Sequence, residues 1–395
     1  VGTRLRLTAD PGAAATFYPE GRALMEGDLL VLPELAQTLR RYARSGPPGF
    51  YRGETADAIL ASLRAADERA GGVTRGGEMT RADLEGYAPK RRDPVVGWFR
   101  GMQVIGMPPP SSGGIALLQV LSILDGLPLD ADRVRTIDEM EVGEYVIGEA
   151  SGLSPRGVHW WIEALRRAFA DRAEHLGDPD FHPVPVDGLL SPRYLSECRV
   201  EIGDRANYAM APMTEAPAEA SAQTTHLSVV DSEGNAVSLT TTLNGSFGSG
   251  IWVDGGGFLL NNELDDFSIR AGTPNMFGLV GGAANQLMPG KRPLSSMTPT
   301  VIRDASGSGV RVIGAPGKES CGVAVKELIS EVGPISSWIS AAVRARSKIF
   351  TSSSNPLKLP CPVRPVNPIV TSSFCQLVFP PSGWEEVGSP FTKTM

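Results

Sequence analysis

The run Gln223-Thr224-Thr225-His226 would place a complete nucleophile and its base on one residue if the peptide bond before Thr224 were cut. A threonine hydroxyl alone is a weak nucleophile, but a free α-amine titrates near ~7.7 to 8.0 and can accept the hydroxyl proton at neutral pH. Such a residue needs no histidine. The chain has no Gly-x-Ser-x-Gly elbow and no recognisable Ser-His-Asp spacing, which is consistent with that economy. The structural alternative stays open at this point, because threonine is common in strands and Thr224 is also readable as one more strand residue. Metal chemistry is not expected: His159, His175 and His182 are scattered, with no i, i+4 pair enclosing a Glu, and read as ordinary surface or loop residues. Gly314-Ala315-Pro316-Gly317-Lys318-Glu319-Ser320 is not a phosphate loop, since Val312 stands where a Gly is required and Ser320 lies one place too far from Lys318.

The elements around Thr224 read as follows. Thr225 to Asp231 alternates as a strand, Ser232-Glu233-Gly234-Asn235 is a turn, and Ala236 to Leu243 returns as the second strand of a hairpin. The stretch from Ala206 to Gln223 is rich in Pro, Ala and Ser, the composition of an exposed loop or linker leading to the bond to be cut. Beyond the hairpin, Leu260-Asn261-Asn262-Glu263-Leu264-Asp265-Asp266 sets acidic residues past an apolar strand end, where a polar pocket wall fits. Leu294-Ser295-Ser296-Met297-Thr298-Pro299 places two hydroxyls in what otherwise reads as a turn.

Upstream, Leu32 to Tyr42 is predicted as a helix packing Leu35, Leu39 and Tyr42 into the core, and Thr55 to Arg69 as another with Ile59, Leu60 and Leu63 inward. Val95 to Gly106 reads as paired strands about Arg100-Gly101. Ser111-Ser112-Gly113-Gly114 then enters a helix over Ile115 to Leu124; its glycines read better as a tight turn packed against a neighbour than as an anion site. Trp160 to His175 is a helix with Trp161, Leu165, Ala168 and Phe169 inward and Arg166, Arg167, Asp171 and Arg172 on its wet face.

At 395 residues the chain is long enough to bury a catalytic cleft. A net charge of −7 without any long Lys/Arg run argues against nucleic acid as a partner. No apolar run approaches the ~20 residues that span a bilayer, so the chain reads as soluble, and the segment from Val1 has no signal-peptide pattern. Cys198, Cys321, Cys361 and Cys375 show neither metal spacing nor a disulfide framework. After Gly317 the composition changes: residues 318–395 hold 13 Ser and 9 Pro, no Asp and only 4 of the 45 Gly. Helical periodicity fits Val323 to Ile349, whereas Asn355 to Pro381 reads as no packed element.

Several ordered motifs carry a family resemblance. They are Thr8-Ala9-Asp10-Pro11-Gly12, Gly49-Phe50-Tyr51-Arg52-Gly53, Asp83-Leu84-Glu85-Gly86-Tyr87, Met107-Pro108-Pro109-Pro110-Ser111-Ser112-Gly113-Gly114, Phe169-Ala170-Asp171-Arg172, Gln223-Thr224-Thr225-His226, Leu260 to Phe267, Gly278-Leu279-Val280-Gly281-Gly282 and Lys291 to Met297. Over residues 4 to 317 the chain resembles the gamma-glutamyltranspeptidase (glutathione hydrolase) family of N-terminal-nucleophile hydrolases. The resemblance implies an α+β, four-layer αββα fold, incomplete at both ends: residues 1–223 as a large-subunit portion lacking the family's N-terminal part and its substrate-clamping Arg, 224–317 as the small-subunit core, and 318–395 as a divergent tail. It implies self-cleavage between Gln223 and Thr224, with Thr224 as nucleophile and Thr242 orienting it. Asn244, Glu263 and Asp266 would hold a substrate α-amino group, Ser295 and Ser296 its α-carboxylate, and backbone amides at Gly317 and Lys318 the oxyanion, although Lys318 replaces the family's second Gly. The implied chemistry is transfer of a γ-glutamyl group from glutathione or another γ-glutamyl donor, through an ester on Thr224, to water, an amino acid or a peptide, without a metal or organic cofactor. A periplasmic, extracellular or membrane-surface setting is implied by resemblance only. Two alternatives accompany this: a cephalosporin or glutaryl acylase of the same fold, and a truncated chain that never processes itself.

Overall fold

The computed structural model describes residues 2–72, 79–129, 133–134, 152–206, 224–270, 272–304, 309–315 and 374–379. Two sheets face each other at its centre. The first has the order β1-β2-β9-β10, formed by β1 (Val95–Phe99), β2 (Met102–Gly106), β9 (Thr300–Arg303) and β10 (Val310–Ile313), with neighbouring strands antiparallel. The second has the order β11-β6-β5, from β5 (Thr225–Val230), β6 (Ala236–Thr241) and β11 (Phe374–Phe379). Two short ribbons complete the strands: β3 (Arg133–Val134) with β4 (Gly152–Leu153), and β7 (Trp252–Val253) with β8 (Phe258–Leu259).

Period-2 alternation explains how the sheets pack. On β6, Ala236, Ser238 and Thr240 are buried while Val237, Leu239 and Thr241 are only partly so. The buried set looks across at the first sheet: Ala236 joins Ile105, Met107, Met297 and Val301 in one apolar cluster, and Ser238 Oγ donates to the Ile313 carbonyl at 3.1 Å. Ile105 and Val301 are direct partners in the β2–β9 register. The other face of the first sheet carries Val95, Phe99 and Val104, which pack with helix α7 (Gly113–Asp125) and α8 (Pro155–His175) in the largest core cluster. The short α9 (Val186–Leu189) and α10 (Pro192–Val200) add Leu189, Leu195 and Cys198 to it.

The expected helix over Ile115 to Leu124 lies within α7, which is buried on every side rather than along a stripe. Its glycines permit that. A Cβ on Gly113 would sit 2.1 Å from Thr298 Oγ1, and one on Gly114 would sit 2.2 Å from the Met107 carbonyl oxygen. The helix start is thus wedged between β2 and the Ser295–Thr298 strip, the tight-turn reading of Gly113-Gly114.

The N-terminal helices α1 (Gly2–Thr8), α2 (Pro11–Phe17), α3 (Pro33–Ser45), α4 (Pro48–Tyr51), α5 (Gly53–Arg69) and α6 (Arg81–Gly86) cluster at the β7–β8 ribbon. Phe17 meets Trp252 edge-on, and Ile59, Leu60 and Leu63 of α5 pack with Ile251 and Val253, as their spacing predicts. α3 departs from expectation. Leu39 and Tyr42 are exposed, and the residue it buries is Thr38, whose hydroxyl donates to the Gly256 carbonyl at 2.8 Å.

One further expectation is corrected. The segment Asn355 to Pro381 contains β11, which pairs along all of β6, from Phe374 opposite Thr241 to Phe379 opposite Ala236. Of the αββα layers, the described residues supply helices α7, α8 and α10, the first sheet and the second sheet. The outer face of the β5–β6 hairpin, with Leu227 and Val229, is exposed among the described residues. The helical expectation for Val323 to Ile349 lies outside the described residues.

Candidate active site

The hairpin register places the central pair. Thr225 and Thr241 are the last partners in the β5–β6 ladder, so Thr224 and Thr242 come next to each other just beyond it. Thr224 Oγ1 donates to Thr242 Oγ1 at 3.2 Å, and the backbone amide of Asn244 donates to that same Thr242 oxygen at 3.0 Å. Asn244 can turn back in this way because it sits at φ 72°, a left-handed conformation asparagine tolerates better than most residues. His226 plays no part in the pair: its Nδ1 lies 2.8 Å from Thr240 Oγ1 and its Nε2 2.9 Å from Ser228 Oγ, within the hairpin.

From Asn244 the hydrogen bonds lead to the acidic turn. Its buried side chain donates through Nδ2 to the Asn262 carbonyl at 3.1 Å, while Asn262 Oδ1 accepts from the Gly245 amide at 2.8 Å. Glu263–Asp266 follows as a single 3-10 turn. Glu263 Oε1 is buried without a hydrogen-bond partner among the described residues. Burial, and secondarily the charge of Asp266, push the Glu263 carboxyl up to about 8. Asp266 is pushed up to about 7, again chiefly by burial; Arg172 pulls it down and Asp265 pushes it up. Two carboxyls held this far above their ordinary range form a site that would gain from a ligand cation, whose charge would favour both ionised forms.

The two serines lie on the strip before β9. Ser295 bridges to Ser111: its amide donates to the Pro110 carbonyl at 2.9 Å, and its carbonyl accepts from the Ser112 amide at 2.8 Å and the Ser112 hydroxyl at 2.9 Å. Ser295 Oγ accepts from the Met297 amide at 3.1 Å. Arg172 of α8 donates from Nη2 to Ser296 Oγ at 3.2 Å and from Nε to Ser112 Oγ at 3.1 Å. Asn285 joins the acidic and serine segments, with Nδ2 donating to the Asp266 carbonyl at 2.7 Å and Oδ1 accepting from the Leu294 amide at 3.1 Å.

The structure therefore brings Thr224, Thr242 and Asn244 together directly, links Asn244 to the Glu263–Asp266 turn through Asn262, and links Asp266 through Asn285 to Leu294 at the start of the serine strip, where Arg172 bonds Ser296. Gln223, Gly317 and Lys318 lie outside the described residues. The assignment of Arg167, Asp171 and Arg172 to a wet helix face is overturned, because all three are buried, Arg172 to 4% exposure. α8 is enclosed on more than one side: Asp171 accepts from Gln119 of α7 at 2.6 Å and from the Tyr194 hydroxyl at 2.7 Å, and Arg167 pairs with Glu163 at 2.9 Å. The only sequence signal for Arg172 was the motif Phe169 to Arg172, and for Asn285 there was none. Among the described residues, no group of three His, Cys, Asp or Glu is placed to hold a metal ion, and no helix is long and apolar enough to cross a membrane.

Known proteins share this sequence and arrangement. The family description "Gamma-glutamyltranspeptidase" matches residues 2–352. The chain belongs to the gamma-glutamyltranspeptidase family. The glutathione hydrolase proenzyme of Pseudomonas sp. (strain A14) is 40% identical over 306 residues, 77% of this chain and 48% of that protein. The corresponding proenzyme of Escherichia coli (strain K12) is 41% identical over 307 residues, again 77% and 48%. The acylase ACY 1 proenzyme of Pseudomonas sp. (strain SE83) is 35% identical over 294 residues, 74% and 46%. Of solved structures, the cephalosporin acylase from Bacillus halodurans superposes with a TM-score of 0.59 at 27% identity, covering 80% of this chain and 50% of that one. The α+β architecture is that of the N-terminal-nucleophile hydrolases. This family member spans about half the length of the curated relatives it matches.

Proposed function

We propose that this chain carries the catalytic hairpin and γ-glutamyl pocket of a γ-glutamyl hydrolase and transpeptidase, with residues 1–223 and 224–317 as the two portions of a self-cleaving precursor. The carrying observation is the hydrogen-bonded continuity from Thr224 and Thr242 through Asn244 to the Glu263–Asp266 turn. It supports a reading in which Thr224 is the nucleophile and the two carboxyls, raised chiefly by burial, gain from an ammonium ligand.

In this reading Thr224 Oγ1 first attacks the Gln223 carbonyl, the amide becomes an ester, and water releases Thr224 with a free α-amine. The amine then takes the hydroxyl proton as Oγ1 attacks the γ-carbonyl of glutathione or another γ-glutamyl donor. Thr242, held by the Asn244 amide, keeps the hydroxyl in one orientation. Expulsion of the donor's amine leaves a γ-glutamyl ester on Thr224, with the proton passing to the leaving group. Water, an amino acid or a peptide then attacks the ester. Amides at Gly317 and Lys318 would receive the oxyanion in both steps. Asn244, Glu263 and Asp266 hold the donor's α-ammonium, and Ser295 and Ser296 its α-carboxylate.

The named acylases among the relatives support a second reading, a glutaryl or cephalosporin acylase. A glutaryl group lacks the α-ammonium, and the acidic pair then has no cation to meet. Turnover of γ-glutamyl-p-nitroanilide against glutaryl-7-aminocephalosporanic acid separates the two. The γ-glutamyl compound is expected to be preferred at least ~100-fold, the scale on which an unpaired buried charge discriminates. Equal turnover, or preference for the glutaryl compound, would overturn the γ-glutamyl reading.

A further inference from the structure

Arg172 is a buried cation bonded to the serine side of the candidate site, 4% exposed. Nε and Nη2 donate to the hydroxyls of Ser112 and Ser296, and among the described residues no carboxylate lies within ion-pair distance of it. A buried guanidinium held only by hydroxyls is costly unless a nearby negative charge offsets it. Asp266 is the carboxyl whose charge acts on Arg172 without an ion pair between them, and Asn285 links the Asp266 carbonyl to the Leu294 amide at the start of the serine strip. Serine hydroxyls have one proton and two acceptor pairs. An N–H directed at Ser296 Oγ occupies one of those pairs and fixes how the hydroxyl is turned.

We propose that Arg172 is a positioning residue of the α-amino-acid pocket, acting through Ser296 on the substrate carboxylate and through Asp266 on the substrate ammonium. The proposal rests on the γ-glutamyl reading above. Its two arms are separable by chemistry. The orienting arm needs the planar fork of arginine, whereas the electrostatic arm needs only a positive charge at that place.

The charged groups that face Asp266 are Arg172 from α8 and, on its own turn, Asp265 and Glu263; Asn275 also donates to Asp266 Oδ1, at 3.4 Å. With Arg172 present, the carboxylate is favoured against burial. With the charge removed, Asp266 holds its proton to higher pH and an ammonium ligand meets a neutral acid. Binding then requires a higher pH.

Calorimetric titration of the full chain with L-glutamate from pH 5.5 to 9 tests this without requiring turnover. Glutarate, which lacks the α-amine, and 4-aminobutyrate, which lacks the α-carboxylate, are run as controls. The unsubstituted chain is expected to bind L-glutamate at least tenfold more tightly than either control, with affinity rising with pH through a midpoint near neutrality. In Arg172→Met the midpoint is expected to rise by roughly one pH unit, the scale of losing a nearby opposite charge, and both selectivities to fall. Arg172→Lys is expected to keep the midpoint and lose only a few-fold in affinity. Equal binding of L-glutamate and glutarate by the unsubstituted chain, or no binding, overturns the γ-glutamyl reading and this proposal with it. Selective binding by the unsubstituted chain, with an unchanged midpoint and affinity in a folded Arg172→Met, overturns the proposal alone. So does a midpoint in Arg172→Lys that moves as far as in Arg172→Met.

Discussion

Thr242 Oγ1 receives two hydrogen bonds, from Thr224 Oγ1 and from the Asn244 amide, and this makes it the hinge of the candidate chemistry. Thr242→Val preserves the shape of the side chain and removes that oxygen. A nucleophile left free to rotate is expected to lower kcat by about 10- to 100-fold with little change in KM, measured with γ-glutamyl-p-nitroanilide. Asp266→Asn acts differently, because it removes charge from the proposed ammonium site. KM is expected to rise ~30-fold or more, corresponding to about 2 kcal/mol or more. The pH dependence has a definite sign. Asp266 in the free site is raised to about 7 by burial; an ammonium binds its ionised form, so kcat/KM is expected to climb with pH through that region. In Asp266→Asn the component near pH 7 is expected to be lost, leaving the rise at higher pH that comes from the Thr224 α-amine and from Glu263, which is raised to about 8.

At the scale of elements, the site depends on segments that share no sequence neighbourhood and are joined by a few buried groups. Asn285, 3% exposed, is one of them, binding the Asp266 carbonyl and the Leu294 amide at once. Asn285→Ala leaves both backbone groups unpartnered and is expected to cost about 2–4 kcal/mol in urea unfolding. The hairpin was legible in the sequence because alternation and the turn Ser232 to Asn235 leave little choice of register, and register alone puts Thr224 against Thr242. α8 was legible as a helix but not in what it buries. Arg167, Asp171 and Arg172 carry the residue types of a solvated face; Arg167 pairs with Glu163 on α8 itself, but the partners of Asp171 and Arg172 come from α7, from α10 and from the Ser295–Ser296 strip, which helical periodicity cannot report. α3 shows the reverse, since Leu39 and Tyr42 have the spacing of a core face yet are exposed, and a polar contact at Thr38 orients the helix instead.

Across the whole molecule, the two sides of the Gln223–Thr224 bond are woven into one sheet. β2, from the earlier part, pairs with β9, from the later part, and α7 and α8 pack with Ile302 and Leu294 from beyond the bond. Cleavage is therefore expected to leave one particle: the fragments should co-elute in size-exclusion chromatography and separate only on denaturation. The strand β11 had a short apolar run as its signal, but it lies within a Ser- and Pro-rich stretch after the family motifs stop, and only its pairing with β6 identifies it. The catalysis proposed for this chain turns on whether Thr224 acquires a free amine. Intact mass under denaturing conditions, for the unsubstituted chain beside Thr224→Ala, measures this directly. The expected result is two fragments, Val1 to Gln223 and Thr224 to Met395, from the former and a single uncut chain from the latter. One uncut species from both would contradict the account.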